Sequence, residues 1–238
     1  MAGPYSRPQS PLDGVHWVED FISNDSVADA AIGQQRWEIV TIGNATTITN
    51  LTATDGGAIH LVTAATANGD GCVLRSFTDG LVLNSGAGGF SFRAKLVDQI
   101  ASNNFRIGLD DSVTATSPTV GIWVDCDGGV ISLQVDSADS SDLSIAASGV
   151  STLTSGTTMV VTTWHTFRVE WSGANSVGGP RFVELFIDGE AAGSCLCNID
   201  DDEEVELKIA HWQDSGGALA VELDVDFFEY WQWIDREG

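Results

Sequence analysis

Lysine is almost missing from this chain: Lys95 and Lys208 are the only two in 238 residues. Ten Lys and Arg stand against 34 Asp and Glu, a net charge of −24. Nucleic acids and anionic membrane surfaces are polyanions, and affinity for them comes largely from Lys and Arg. Neither is therefore an expected partner. No run approaches the ~18 apolar residues that a membrane-spanning helix needs. Catalytic and nucleotide motifs are missing too: there is no Gly-x-Ser-x-Gly, no Walker A loop and no Gly-x-Gly-x-x-Gly. The start, MAGPYSRPQSPLDG, lacks a basic segment, an apolar core and a small-residue cleavage site. Synthesis in a reducing cytosol without secretion is the expectation. The four cysteines, Cys72, Cys126, Cys195 and Cys197, are accordingly expected as buried free thiols. The four histidines are scattered one per segment, so no metal-binding pair at i,i+4 is present.

What is present is a globular composition. Apolar residues make up 43% and charged residues only 18%, which excludes a disordered acidic tail. Three of the five prolines, Pro4, Pro8 and Pro11, fall in residues 1–14. That segment reads as a short extended N-terminal arm, and residues 15–238 read as one domain. From His16 onward the pattern has period two. Phe90, Phe92, Ala94 and Leu96 alternate with Ser91, Arg93 and Lys95. Phe105, Ile107 and Leu109 flank Arg106 and Gly108, and Ile131, Leu133 and Val135 flank Ser132 and Gln134. Phe167, Val169 and Trp171 alternate with Arg168 and Glu170, and Val221, Leu223 and Val225 with Glu222 and Asp224. Successive strand side chains point to opposite faces, so each run sets an apolar row against a core. Gly- and Asp-rich turn clusters separate the runs, such as Asp127-Gly128-Gly129 and Asp214 to Gly217. Only Ser26 to Ala31 and Val97 to Ser102 are compatible with a helical turn or two. The fold class is all-β: a two-sheet antiparallel sandwich. At Phe227-Phe228 the alternation changes phase, and a β-bulge would reconcile the two halves of that strand.

One segment is distinctive. Trp164-His165-Thr166-Phe167-Arg168-Val169-Glu170-Trp171 is followed by a Gly-rich turn and by Phe182-Val183-Glu184-Leu185-Phe186-Ile187-Asp188-Gly189. This resembles the Trp-His hairpin of the concanavalin A-like (laminin G-like) jelly rolls, which implies that the two-sheet antiparallel sandwich is a jelly roll. Glu19-Asp20-Phe21 with Trp37, and Val221 to Trp233, resemble the opening and closing strands of that fold. Within it, the chain is similar to virion-associated proteins of tailed bacteriophages. The resemblance implies a non-enzymatic structural protein of a virion, exposed on the particle as a capsid decoration, fibre-like or tail-associated component. Its partners would be other virion proteins and further copies of itself, a trimer among the options. Pro4, Tyr5 and Arg7 in the arm, and Phe228, Tyr230 and Trp231 near the end, are the candidate assembly contacts.

The alternative is a carbohydrate-binding, lectin-like module for surface glycans. Sugar recognition uses exposed aromatic rings beside polar groups. Trp123, out of phase with Ile122 and Val124, Asp125 beside it, and Trp212 are the candidates. A third reading is glycoside hydrolysis. Glu222-Leu223-Asp224-Val225-Asp226 puts carboxylates two apart on one strand face, and retaining chemistry wants two of them about 5–5.5 Å apart. In glycosidases of this fold that strand lies mid-chain and ends in Glu. Here it closes the chain and ends in Asp, so no enzyme activity is expected. His165 is expected to make a structural hydrogen bond. No cofactor is expected beyond a Ca²⁺ ion at Asp110, Asp111, Asp125 and Asp127, since hard cations need several oxygens held by turns. The acidic run Asp200 to Glu204 reads as a solvated loop.

Overall fold

The alternating runs become strands. A computed structural model describes residues 14–21, 32–33, 36–44, 46–51, 57–76, 80–83, 86–112, 118–136, 143–174, 179–197, 199, 203–214 and 219–233. Sixteen strands follow in order: β1 (Gly14–Glu19), β2 (Glu38–Ile42), β3 (Thr47–Leu51), β4 (Ala58–Val62), β5 (Gly71–Arg75), β6 (Leu81–Val82), β7 (Gly88–Leu96) and β8 (Asn103–Asp110). Then come β9 (Gly121–Asp127), β10 (Val130–Asp136), β11 (Leu143–Ala146), β12 (His165–Ala174), β13 (Pro180–Ile187), β14 (Glu190–Leu196), β15 (Glu204–Gln213) and β16 (Glu222–Trp233). No helix occurs among the described residues. Val97 to Ser102 is a turn, and Ser26 to Ala31 lies outside them.

The strands form two eight-stranded antiparallel sheets. The first runs β14-β13-β12-β7-β16-β4-β3, and β1 lies beside the far half of β16. The second runs β11-β10-β9-β8-β15-β5-β2, and β6 pairs with the start of β15. At one side the sheets are stitched together, where the Ser148 N–H donates to the Ala192 carbonyl over 2.9 Å. Two hairpins show how local chemistry sets register. Gly128-Gly129 joins β9 to β10 and Asp188-Gly189 joins β13 to β14. Both residues of each pair have positive φ (54° and 84°, 52° and 86°), the backbone that a two-residue hairpin turn requires.

The core is aromatic. Phe92 stacks on Phe167 with centroids 4.8 Å apart, and Phe228 stacks on Phe90 at 5.9 Å. Phe92 meets Phe105 of the opposite sheet edge-on at 6.3 Å. Trp37, the partner of the Glu-Asp-Phe opening, touches Trp17, Phe21 and Phe228. Each such pair contributes about 0.5–1.5 kcal/mol beyond area burial. The bulge in β16 lies where the alternation changes phase. Val225 pairs with Ala94 and Phe228 with Phe92, so Asp226 and Phe227 together oppose Arg93. The extra residue turns both Val225 and Phe228 inward. All four cysteines are buried and free. Burial pushes the Cys72 thiol up to about 12 and those of Cys195 and Cys197 to about 11, which keeps the reactive thiolate scarce.

Candidate functional site

The outer face of the first sheet carries the carboxylates of β16. Asp224 is 2% exposed and is gripped from both neighbouring strands. His60 Nδ1 of β4 lies 2.6 Å from it, and Lys95 Nζ of β7 lies 2.8 Å away. Asp226 accepts from Arg93 at 2.9 Å, and Glu222 sits 3.7 Å from His60 Nε2. Arg93 and Lys95 also cover the Trp164 ring, at 4.9 and 4.6 Å from its centroid. Register explains the arrangement: Asp224 is directly opposite Lys95 on one side and His60 on the other. A glycosidase nucleophile must reach substrate, and its partner must hold a proton near neutral pH. Here each acid is tied to a cross-strand base, as in a structural ladder.

The four aspartates proposed for Ca²⁺ do not converge. Asp110 accepts from Lys208 Nζ at 2.5 Å and from the Ser112 N–H at 2.9 Å. Burial raises its pKa, and Lys208 opposes that rise. Asp111 turns to its own loop, accepting from the N–H groups of Thr119 and Val120 at 2.9 and 3.1 Å and from the Thr119 hydroxyl. Burial would raise its pKa, but these hydrogen bonds outweigh it and hold the carboxyl low. Asp125 lies 3.5 Å from Arg106 Nε, and Asp127 is exposed. Among the described residues no three His, Cys, Asp or Glu side chains are placed to hold a metal. Competing ion pairs are the reason. Asp110, Asp125 and Asp127 share the outer face of the second sheet, but each of the first two is drawn to a different cation.

The outer face of the second sheet also gathers the three residues proposed for glycans. β9 places Trp123 and Asp125 outward, and β15 does the same for Trp212. Arg106 of β8 lies between them, its guanidinium 4.9 Å from the Trp123 centroid and 5.8 Å from that of Trp212. Burial raises the Asp125 pKa, Arg106 counters it, and Asp127 adds to the rise. Trp123 is not an exposed ring, however: at 2% exposure it forms the floor beneath Arg106, and its indole N–H has no acceptor among the described residues. The half-exposed ring is Trp212, which packs with Val40, Ile42, Val73 and Ala210 in a small apolar cluster outside the main core. Sequence reasoning did not single out Arg106, Val40 or Ile42. Arg106 carried a readable signal, an outward position between two inward apolar residues. Val40 and Ile42 were hidden in a short strand with weak alternation.

The proposed assembly patch is also corrected. Phe228 and Tyr230 are core residues, because the bulge brings them into phase with Val225. Trp231 points to the other face of that sheet but is buried against Gly89, where a Cβ would lie 2.4 Å from the indole. None of the three offers an exposed aromatic contact. Pro4, Tyr5 and Arg7 lie outside the described residues.

No family model matches the chain, and neither does any curated protein sequence. Solved structures do. A protein of unknown function from Shewanella oneidensis MR-1 matches at a TM-score of 0.63 and 12% identity, over 97% of this chain and 91% of that one. The carbohydrate recognition domain of Emp47p matches at 0.57 and 8% identity, over 95% and 100%. A prokaryotic β-1,3-1,4-glucanase (lichenase) derived from a mouse hindgut metagenome matches at 0.59 and 12%, over 91% and 98%. The shared feature is the fold. It is the jelly-roll sandwich used by lectin-like and glycoside hydrolase domains, in agreement with the concanavalin A-like resemblance. Such a fold hosts binding and catalysis alike, so function has to be argued from the faces of the sheets.

Proposed function

We propose that this chain is a non-enzymatic, glycan-binding jelly-roll module that works on the surface of a tailed-phage virion. The observation that carries the binding role is the outer face of the second sheet. There a half-exposed Trp212 lies beside the Arg106–Asp125 pair and the open carboxylate of Asp127. An aromatic face next to hydrogen-bonding groups is what a sugar ring needs, with its C–H face on the indole and hydroxyls on the polar rim. The lectin-like fold supports the same role. Against catalysis stands the ladder on the opposite sheet, where Asp224 and Asp226 are engaged by cations. The particle setting rests on the phage resemblance of the Trp-His hairpin and the flanking strands. The net charge of −24 fits it, keeping copies apart before assembly and away from DNA. Other virion proteins and further copies of the chain are then its partners.

A glycan array probed with the full chain and with Trp212→Ala tests the binding role. A ligand retained by the parent and lost by the variant is the expected result; no ligand on a broad array sinks it. Mass spectrometry of purified particles tests the setting, where a fixed copy number is expected.

A further inference from the structure

The charges on the outer face of the second sheet narrow the ligand. Among the described residues of its strands three cations stand there, and each is occupied. Arg75 pairs with Glu38, Lys208 is buried against Asp110, and Arg106 is held by Asp125 and by the two indoles. Asp127 is different: it is exposed, with no hydrogen-bond or ion-pair partner among the described residues. What the face offers a ligand is therefore an aromatic surface and carboxylate acceptors. A ligand must bring donors, and any negative charge it carried would meet Asp125 and Asp127 with no uncommitted cation among the described strand residues to offset them. Trp212 and Asp127 lie two strand spacings apart, roughly 10 Å, a span that suits an oligosaccharide better than one sugar ring.

Resting on the glycan reading above, we infer that this face takes a neutral, hydroxyl-rich glycan and rejects acidic ones. Trp212 stacks on the sugar, and hydroxyls donate to Asp127 and to the Asp125 carboxylate at the rim. Recognition of this kind uses contact and hydrogen bonds, not ion pairing, so it is insensitive to salt.

Affinity electrophoresis of the full chain tests this, in gels containing neutral polysaccharides (mixed-linkage β-glucan, galactomannan, dextran) or acidic ones (alginate, hyaluronate). Retardation in at least one neutral gel and in neither acidic gel is expected. Binding should persist between about 50 mM and about 500 mM NaCl, where screening removes charge-driven attraction. Trp212→Ala should lose about tenfold or more in affinity, and Asp127→Ala several-fold, with cooperative thermal unfolding retained in both. Retardation by alginate or hyaluronate, or binding abolished by salt, overturns the neutral-ligand inference and leaves the glycan reading standing. No retardation in any gel overturns both.

Discussion

His165 Nδ1 lies 2.8 Å from Asp188 Oδ2, and this bond ties the start of β12 to the turn that ends β13. Asp188 also accepts from the Thr166 N–H at 2.8 Å and from the Thr152 hydroxyl. Burial would raise its pKa, but these bonds hold the carboxyl low, and it stays an acceptor. The Trp-His…Asp-Gly pattern thus has a physical reading: the turn aspartate, at φ 52°, fastens a hairpin and an adjoining loop at once. Asp188→Ala should cost about 1–3 kcal/mol in urea unfolding, and Asp188→Asn less, because Asn keeps an acceptor and tolerates the left-handed backbone. A loss in Asp188→Ala well below 1 kcal/mol would show that the carboxylate bonds contribute little.

Much of the architecture was legible from alternation, because one buried face imposes period two. The strands around Phe90–Leu96, Phe105–Leu109, Ile131–Val135, Phe167–Trp171 and Val183–Ile187 all lie where the pattern put them, and so does the bulge at Phe227-Phe228. β15 was missed. Its inward row is Val205, Leu207, Ile209, His211 and Gln213, so the apolar alternation stops after three residues and gives way to polar ones. The candidate site was half legible. Alternation put Trp123 out of phase with Ile122 and Val124, and so outward, but it carries no information about what lies on top of an outward residue. Arg106 covers Trp123, and that depends on cross-strand register.

His211 is fully buried in the sandwich, with Nε2 3.0 Å from Asn103 Oδ1. Burial, with a smaller contribution from His60, lowers its pKa from 6.5 to about 3. The unfolded chain therefore binds this proton at higher pH than the folded one. Stability is fully present above pH 6.5 and is lost progressively as pH falls from there towards 3, by a few kcal/mol in total. Asp110 and Asp125 act oppositely, because their raised pKa values favour the folded state as pH falls. His211→Gln isolates the histidine. Its urea midpoint should vary less between pH 7 and pH 4 than that of the parent, and parallel profiles would refute the assignment.

Asp224→Asn removes the negative charge shared by His60 and Lys95. Lys95 is then left half-covered beside Trp164 without its carboxylate. A loss of about 1–3 kcal/mol is expected in chemical unfolding, below the full cost of breaking a buried pair because both bases reach solvent. A reducing-sugar assay should detect no turnover by the parent chain on β-glucans. Turnover that disappears in Glu222→Gln would defeat the non-enzymatic reading.

Trp123 carries two opposing contributions. Its ring fills the floor beneath Arg106, which favours the large side chain, while its indole N–H is buried without an acceptor among the described residues. An unsatisfied buried donor costs about 1–3 kcal/mol. Trp123→Phe removes that donor and some apolar volume together, so the net change in unfolding free energy should stay within about 1 kcal/mol. Trp123→Ala removes the donor too, but it also leaves a cavity and releases Arg106, at about 3–5 kcal/mol. Glycan retardation should survive in Trp123→Phe, because the surface ring is Trp212 and the guanidinium still rests on an aromatic face. Loss of binding in a well-folded Trp123→Phe protein would mean that the indole nitrogen itself meets the ligand, and that Arg106 must swing away to let it in.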